Sequence, residues 1–181
     1  MKQKAAFLDR DGVINIPIVR MGKPYPPDSL DTLALLPGVE QACHLLRAAG
    51  YLIIVVTNQP DVATGKQSHA VIEQFHAQLK EWLPIDAIYA CLHQDSDRCK
   101  CRKPGIGMLL EASTQFPIDL RESVLIGDRW RDVATGQTAG CDTYFIDYGY
   151  REKQPDPPFT RVYSLHEAAR LIHTRVCLGH T

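Results

Sequence analysis

The sequence has no excess of charge of either sign. Its 20 Lys and Arg residues stand against 21 Asp and Glu residues, and the net charge at pH 7 is −1. Proteins that bind nucleic acid or membrane surfaces through their overall electric field need a strong bias in charge. The balance therefore argues against nucleic acid and membrane as partners, although a local anion site stays compatible with it.

Long hydrophobic runs are also missing. The longest aliphatic stretch, "YLIIVV" at 51–56, is far shorter than the roughly 20 apolar residues that a membrane-spanning helix needs. At the N-terminus, the charged stretch "LDRDG" arrives before the apolar region of a signal peptide could develop. We therefore expect a cytoplasmic protein, in which the six cysteines would stay reduced rather than form a disulfide framework.

Internal repeats and low-complexity tracts are absent too. The 181 residues are 45% hydrophobic and 23% charged, as in ordinary globular proteins. This length suits one domain with a sizeable core. We expect a single domain over residues 1–181 and a monomer.

Apolar runs of two kinds alternate along the chain. Short β-branched runs predict strands, and runs with a period of 3.6 residues, begun by Ser68 or Ser164 or ended by Gly50 or Gly140, predict helices. The predicted strands cover 5–8, 51–57, 85–90, 123–127 and 143–146, and the predicted helices cover 38–49, 68–82, 108–116, 132–139 and a stretch after Ser164. This order indicates the α/β class, with helices on both faces of a parallel sheet and functional residues at the carboxyl ends of the strands.

Polar motifs stand where that rule expects a site. "DRDG", "TNQ" and "GDRWRD" follow predicted strands, and "CRKP" precedes a predicted helix. Each could be turn chemistry or a surface charge, but four such motifs in this order favour one shared site. The residues expected to converge are Asp9, Asp11, Thr57, Asn58, Lys103 and Asp128. Because two carboxylates so close together repel each other, a cation should lie beside Asp9 and Asp11.

A second cluster lies in "CLHQDSDRCKC". It places Cys91, His93, Cys99 and Cys101 within eleven residues. Three thiolates and one imidazole match a closed, tetrahedral and therefore structural zinc site. The alternative is a buried cysteine with three unrelated neighbours. Zinc in a loop over 91–101 would fix the segment that presents Arg102 and Lys103.

The four motifs together resemble those of the haloacid dehalogenase (HAD) superfamily of phosphatases. The resemblance rests on "FLDRDGVIN", "VVTNQ", "CRKP" followed by "GM", and "LIGDRWRD", and it extends from about residue 5 to residue 147. It implies a Rossmann-like HAD fold of three layers. It also implies that Asp9 is the nucleophile, that Asp11 is the general acid and base, and that Asp9, the Asp11 main chain and Asp128 hold Mg²⁺. Asp132 would support Lys103 or a metal-bound water.

Within the superfamily, the chain is similar to the branch of heptose 1,7-bisphosphate phosphatases and histidinol phosphatases. That branch has a zinc loop before its Arg-Lys-Pro. The resemblance implies removal of the 7-phosphate of heptose 1,7-bisphosphate, on the way to nucleotide-activated heptose for lipopolysaccharide or capsule. It further implies that substrate contacts come from Thr57, Asn58, Gln59, Arg102, Lys103 and Arg129.

The spacing of the motifs leaves no room for a cap domain, so the loops at 16–30, 59–66 and 91–102 should set selectivity. The chain departs from the branch at Pro60 and Asp61, where a Ser-Gly pair is usual, and at Arg129, where Lys is usual. Two alternatives stay open. Histidinol phosphate could be the substrate, with Asp61 facing its ammonium group, or the chain could be a non-catalytic, zinc-stabilised binding module.

Overall fold

A central six-stranded sheet forms the middle of the molecule, which is a computed structural model that describes residues 2–179. The strands are β1 Lys4–Leu8, β2 Ile18–Arg20, β3 Lys23–Tyr25, β4 Tyr51–Asn58, β5 Ala87–Cys91, β6 Val124–Gly127, β7 Asp142–Ile146 and β8 Thr160–Val162. The sheet has the order β5-β4-β1-β6-β7-β8 with every neighbouring pair parallel, and β2 and β3 form a separate antiparallel hairpin.

Five helices cover the two faces of the sheet. They are α1 Val39–Ala48, α2 His69–Trp82, α3 Gly107–Gln115, α4 Trp130–Ala139 and α5 Leu165–Cys177. The hydroxyls of Ser68 and Ser164 cap α2 and α5 by accepting backbone N–H groups at 3.2 and 3.1 Å. One face packs on α1, α2 and α5, and the other packs on α3 and α4. The three-layer α/β fold expected from the sequence is confirmed.

Alternation along β1 explains why both faces are apolar. Ala5 and Phe7 join the core under α3, whereas Ala6 and Leu8 join the core under α1, α2 and α5. A parallel strand covered on both faces has no solvent side, so it reads as one continuous apolar run. The charged residue that ends the run, Asp9, therefore marks the edge of the sheet.

The order of the strands creates a crevice at that edge. β4 and β5 lie on one side of β1, and β6, β7 and β8 lie on the other. Leu8 at the end of β1 pairs with both Val55 and Ile126, so the residues that follow these three strands are neighbours in space. Ligands bind where the strand order reverses in this way.

Two features were not predicted from the sequence. The β2–β3 hairpin turns through Met21 and Gly22, whose φ angles are 51° and 74°, and its strands have only three residues each. β8 is an equally short edge strand. Strands of this length show too little alternation to be recognised. The ends of several strands and helices also differ by one or two residues from the predicted ones. For example, β5 ends at Cys91 and α4 begins at Trp130.

Between β1 and α1 the chain forms only this hairpin and a short 3-10 turn at Leu30–Thr32. The segment between β4 and the next motif holds α2, β5 and the loop with the cysteines. The fold is therefore capless, as predicted. Among residues 2–179, no helix is both long enough and apolar enough to cross a bilayer.

Candidate active site

Asp9 lies at the carboxyl end of β1, in the crevice. It is 7% exposed, and burial raises the pKa of its carboxyl to about 6, since the nearby Lys103 offsets that effect only in part. Its Oδ1 accepts a hydrogen bond from the Arg10 backbone N–H at 2.8 Å and contacts the Lys103 ammonium at 2.9 Å. Both contacts are made through Oδ1, which leaves Oδ2 available to react.

Lys103 is a buried cation between two carboxylates. Its Nζ lies 2.9 Å from Asp9, 2.6 Å from Asp132 and 2.8 Å from the carbonyl oxygen of Val56. Burial lowers the pKa of Lys103, but the two carboxylates outweigh burial and raise that pKa above its ordinary value. Lys103 therefore stays charged and is fixed in place.

The backbone of Lys103 is also fixed, through Asn58. The Asn58 amide donates to the Lys103 carbonyl at 3.1 Å and accepts from the Lys103 N–H at 3.0 Å. Asn58 was predicted to contact substrate, and it does line the cavity. Its amide, however, is used on both sides to hold the segment of Lys103 against β4.

Asp128 follows β6 and is 1% exposed. Neither of its carboxylate oxygens has a partner with good hydrogen-bond geometry among residues 2–179, although the Tyr150 hydroxyl lies close enough to lower the pKa of Asp128. Burial, together with the charges of Asp9 and Asp132, raises the pKa of Asp128 well above its ordinary value. A buried carboxylate without a well-placed donor is costly, so the site is suited to a cation.

The donor set fits magnesium. Carboxylate oxygens of Asp9, Asp128 and Asp132 all lie within 4.8 Å of one another, and hard oxygen ligands are those that Mg²⁺ prefers. Gly12 makes this approach possible, because it has a φ of +90° and a Cβ there would lie 2.0 Å from Asp128 Oδ2. The Asp132 carboxylate already accepts hydrogen bonds from the Lys103 ammonium at 2.6 Å and from the Arg129 backbone N–H at 3.0 Å. Asp9 and Asp128 are therefore the freer ligands.

Asp11 faces the same cavity, and its carboxylate is surrounded by donors. It accepts hydrogen bonds from the Arg10 guanidinium, from Asn15 Nδ2 at 2.9 Å and from Gln59 Nε2 at 2.8 Å. The prediction that Gln59 contacts substrate needs correction. Gln59 is 1% exposed and lies behind the cavity, where its amide also donates to Thr57 Oγ1 at 2.8 Å. Thr57 keeps its own hydroxyl proton for a ligand.

The four soft ligands of the second cluster also meet. Cys101 Sγ lies 3.2 Å from Cys91 Sγ, 3.5 Å from Cys99 Sγ and 3.3 Å from His93 Nδ1. All four ligand atoms fall within 4.8 Å of one another. A tetrahedral zinc with Zn–S bonds of about 2.3 Å needs S···S separations of about 3.8 Å. The cluster is slightly tighter than that and has the correct composition, so its residues fit zinc.

Arginines form the rim of the cavity. Asp95, in the loop of the cysteines, accepts from Arg102 Nε at 2.7 Å and from Arg131 Nη1 at 2.8 Å. These hydrogen bonds, Arg131 first and Arg102 second, hold the pKa of Asp95 at about 2. Asp95 thereby draws two guanidinium groups together. Arg129 also lines the cavity, and its Nε lies 3.0 Å from each Glu152 oxygen.

Known proteins are similar to this chain in sequence and in fold. A HAD-hydrolase-like family model matches residues 100–168. The D-glycero-alpha-D-manno-heptose-1,7-bisphosphate 7-phosphatase of Campylobacter jejuni is 35% identical over 81% of this chain and 83% of its own length. The D-glycero-beta-D-manno-heptose-1,7-bisphosphate 7-phosphatase of Vibrio cholerae is 36% identical over 81% of this chain and 82% of its own length. The chain belongs to the HAD-like phosphatases.

Solved structures agree with the assignment of this chain to the HAD-like phosphatases. A D,D-heptose 1,7-bisphosphate phosphatase from B. bronchiseptica, in complex with magnesium and phosphate, aligns with a TM-score of 0.81 and 27% identity over 95% of this chain and 99% of that one. A putative HAD-like phosphatase from Mesorhizobium loti aligns with a TM-score of 0.76 and 26% identity over 96% of this chain and 87% of that one. The resemblance to the HAD superfamily seen in the sequence is therefore confirmed.

Several residues of this HAD-like phosphatase site were not singled out by the sequence. The hairpin residues Pro24, Tyr25 and Pro26 line the cavity, which has a volume of about 140 Å³, and Arg131 lies on its rim. In the sequence, Arg10 stands out only as the spacer between two aspartates. The one available signal was its place at the end of a buried strand, where a charged side chain needs a buried partner.

Proposed function

We propose that this HAD-like phosphatase hydrolyses a phosphate ester through an aspartyl-phosphate on Asp9, and that its substrate is a sugar bisphosphate of the heptose 1,7 type. The observation that supports the chemistry most is the buried set of Asp9, Lys103 and Asp128 at the carboxyl edge of the sheet. The observation that supports the substrate is the paired arginines on the rim, taken with the two heptose-bisphosphate relatives.

In the first step, Asp9 Oδ2 attacks phosphorus in line, the bond from phosphorus to the ester oxygen breaks, and Asp11 donates a proton to that leaving oxygen. In the second step, Asp11, ionised by that transfer, removes a proton from a water whose oxygen attacks phosphorus, the bond from phosphorus to Asp9 Oδ2 breaks, and inorganic phosphate leaves while the Asp9 carboxylate is restored. Lys103 and the free hydroxyl proton of Thr57 contact the phosphoryl oxygens, on which negative charge is spread during transfer.

Asp9, Asp128 and the main-chain carbonyl of Asp11 would hold Mg²⁺. When bound, that ion offsets the negative charge of the carboxylates and of the phosphoryl group. It also explains why Asp128 can stay buried without a well-placed hydrogen-bond donor. We propose zinc for the cluster of Cys91, His93, Cys99 and Cys101, with a structural role because all four positions are filled by protein.

The retained phosphate would bind between Arg102 and Arg131. Arg102 is one of the substrate contacts that the family resemblance implies, and Arg131 joins it because Asp95 holds both guanidinium groups. Arginine presents a planar set of donors that matches a phosphate. Because binding energy from this remote phosphate can lower the barrier at the reacting bond, esters that lack it should react more slowly.

The test compares kcat/KM for the alpha and beta anomers of heptose 1,7-bisphosphate, heptose 7-phosphate and histidinol phosphate. A charge-assisted contact contributes roughly 1.5 to 3 kcal/mol, so the monophosphate should be about 10- to 100-fold poorer. Arg102→Ala and Arg131→Ala should each remove most of that preference while changing kcat/KM for the monophosphate less than about threefold. Arg170→Ala, on an exposed position of α5, is the matched control.

Histidinol phosphate is the second candidate, because the Asp61 carboxylate lines the cavity and could face an ammonium group. If histidinol phosphate gave the highest kcat/KM, or if both arginine variants kept the full bisphosphate preference, the heptose assignment would be wrong. The phosphatase assignment would stand in either case. A preference for one anomer would decide between the two named activities of the relatives.

A further inference from the structure

We propose that Arg10 is a positioning residue for Asp11, holding the carboxylate of the general acid and base at the place where the leaving oxygen must be protonated. The proposal rests on the proposed function, since it takes the acid and base role of Asp11 as its starting point. It adds a role for the residue between the two aspartates, to which no function has been assigned above.

The contact between the two side chains is a fork. Arg10 Nη2 lies 2.9 Å from Asp11 Oδ2 and 3.1 Å from Oδ1, and Arg10 Nε lies 3.3 Å from Oδ1. A planar guanidinium that meets both oxygens of a carboxylate fixes its rotation as well as its position. Asn15 on Oδ1 and Gln59 on Oδ2 complete the clamp.

Arg10 is itself fixed from behind. Its guanidinium carbon lies 5.4 Å from the centre of the Phe75 ring, and its Nη1 lies 3.5 Å from His76 Nε2. Burial first, and the Arg10 charge second, lower the pKa of His76 to about 4, so the imidazole is neutral and its Nε2 can accept a hydrogen bond. Helix α2 thereby sets the orientation of Arg10, and Arg10 sets that of Asp11.

Two other roles for Arg10 fit less well. It cannot bind substrate, because its side chain is 0% exposed and does not line the cavity. A contribution to stability alone is a poor reason to bury it, since a buried ion pair is often no more stable than apolar side chains of similar volume. An acid that is already held in the productive orientation, in contrast, speeds proton transfer to the leaving oxygen, because no ordering of the side chain is needed during the reaction.

The test uses the identity of the leaving group. An alkyl alcohol needs a proton as it leaves phosphorus, whereas 4-nitrophenolate leaves without one. Arg10→Gln should lower kcat/KM about 100-fold for the alkyl phosphate that wild type hydrolyses best, but less than about threefold for 4-nitrophenyl phosphate. Arg10→Lys keeps the positive charge but cannot contact both carboxylate oxygens in the same planar way, so it should lower kcat/KM for the alkyl phosphate about tenfold. Retained activity on the nitrophenyl ester shows that the variant has folded.

Two companion variants separate the possible failures. Asp11→Asn should likewise lower kcat/KM much more for the alkyl ester than for the nitrophenyl ester. If it slowed both esters equally, the acid role of Asp11 in the proposed function would be wrong. Arg47→Gln removes a partly buried Arg–Asp pair, with Asp86, away from the cavity, so it should affect both esters alike. The inference about Arg10 alone is overturned if Asp11→Asn is selective and Arg10→Gln is not. It is also overturned if Arg10→Gln and Arg10→Lys both lack a cooperative unfolding transition in urea.

Discussion

Three buried carboxylates meet beside a single lysine in this molecule. Asp9, Asp128 and Asp132 are all at most 7% exposed, and Lys103 contacts Asp9 and Asp132 directly. The net charge of this group is negative, and the raised pKa values of Asp9 and Asp128 show that burial is not fully offset by protein contacts. Such a site is suited to a cation and a phosphoryl group but lowers the stability of the metal-free chain.

The excess of negative charge among these buried side chains leads to a prediction for Asp9→Asn. Hydrolysis should fall on the order of 10⁴- to 10⁶-fold, because the nucleophile is lost. With EDTA present, the variant should nevertheless unfold at the same urea concentration as wild type or a higher one, because one buried negative charge has been removed. Activity assays and urea denaturation on the same preparation measure both.

Asp31→Asn is the matched control at an exposed aspartate, and it should change neither quantity. The nucleophile assignment would have to be abandoned if Asp9→Asn kept more than about a tenth of wild-type activity. A clearly lower stability of Asp9→Asn in EDTA would instead contradict the account of repulsion among the carboxylates.

At the scale of elements, one loop links β5 to α3 and presents two residues of the site. The loop of Cys91–Cys101 packs closely on the start of α3, where a Cβ on Gly107 would lie 2.6 Å from the Lys100 carbonyl oxygen. Within the loop, the Cys99 sulfur accepts the backbone N–H of Arg102 at 3.4 Å. The loop has few apolar side chains of its own, so a metal is the main means of holding its shape.

We therefore expect about one zinc per chain in protein purified without chelators. Cys99→Ala should lose the zinc and disorder the loop, since a structural zinc contributes roughly 10 kcal/mol or more to local folding. Its activity should fall because Arg102 and Lys103 follow the loop directly. Elemental analysis gives the metal content, and amide hydrogen exchange over 91–103 reports the order of the loop.

Cys177→Ser is the control for this experiment, because Cys177 is an exposed cysteine outside the cluster. It should keep both zinc and activity. Wild-type protein that contained no zinc, or Cys99→Ala protein with the full zinc content, would refute the structural zinc site.

The whole molecule should respond to acid through His76. Its pKa is lowered from 6.5 to about 4 in the folded protein, chiefly by burial and then by Arg10. The unfolded chain therefore binds more protons than the folded one between these two values. The resulting stability is fully present above pH 6.5 and is lost as the pH falls through about 4. The pKa of Asp9 is raised to about 6 in the folded protein, so in the metal-free protein its titration makes the fold more stable as the pH falls.

A comparison with His76→Gln isolates the histidine. The glutamine can still accept a hydrogen bond from Arg10 but does not titrate. Between pH 7.5 and pH 5, wild type should lose about 1 to 3 kcal/mol more free energy of unfolding than the variant. Urea denaturation at both pH values gives this difference, and the contribution of Asp9 cancels because both proteins contain it. Equal losses in the two proteins would mean that His76 is not held neutral by the fold.

Local patterns in the sequence were sufficient for the order of the elements, the lack of a cap and the grouping of the motifs. Apolar periodicity identified the strands that later proved central, and parallel strands bring their carboxyl ends to one edge whatever the details of packing. Asp9, Thr57, Lys103 and Asp128 could therefore be placed near one another in advance. The cysteines and His93 could be grouped because all four lie in one short loop.

The partners of each side chain were decided only by the tertiary structure. Gln59 meets Asp11 across 48 residues of sequence, and Arg131 meets Asp95 across 36. No periodicity records such contacts, because they depend on how strands, helices and loops pack after the chain has folded. For that reason the sequence alone does not show that Gln59 faces Asp11, that Arg10 packs against α2, or that β2 and β3 form a hairpin. The sequence determined the kind of chemistry, and packing decided which side chains hold its reacting groups in place.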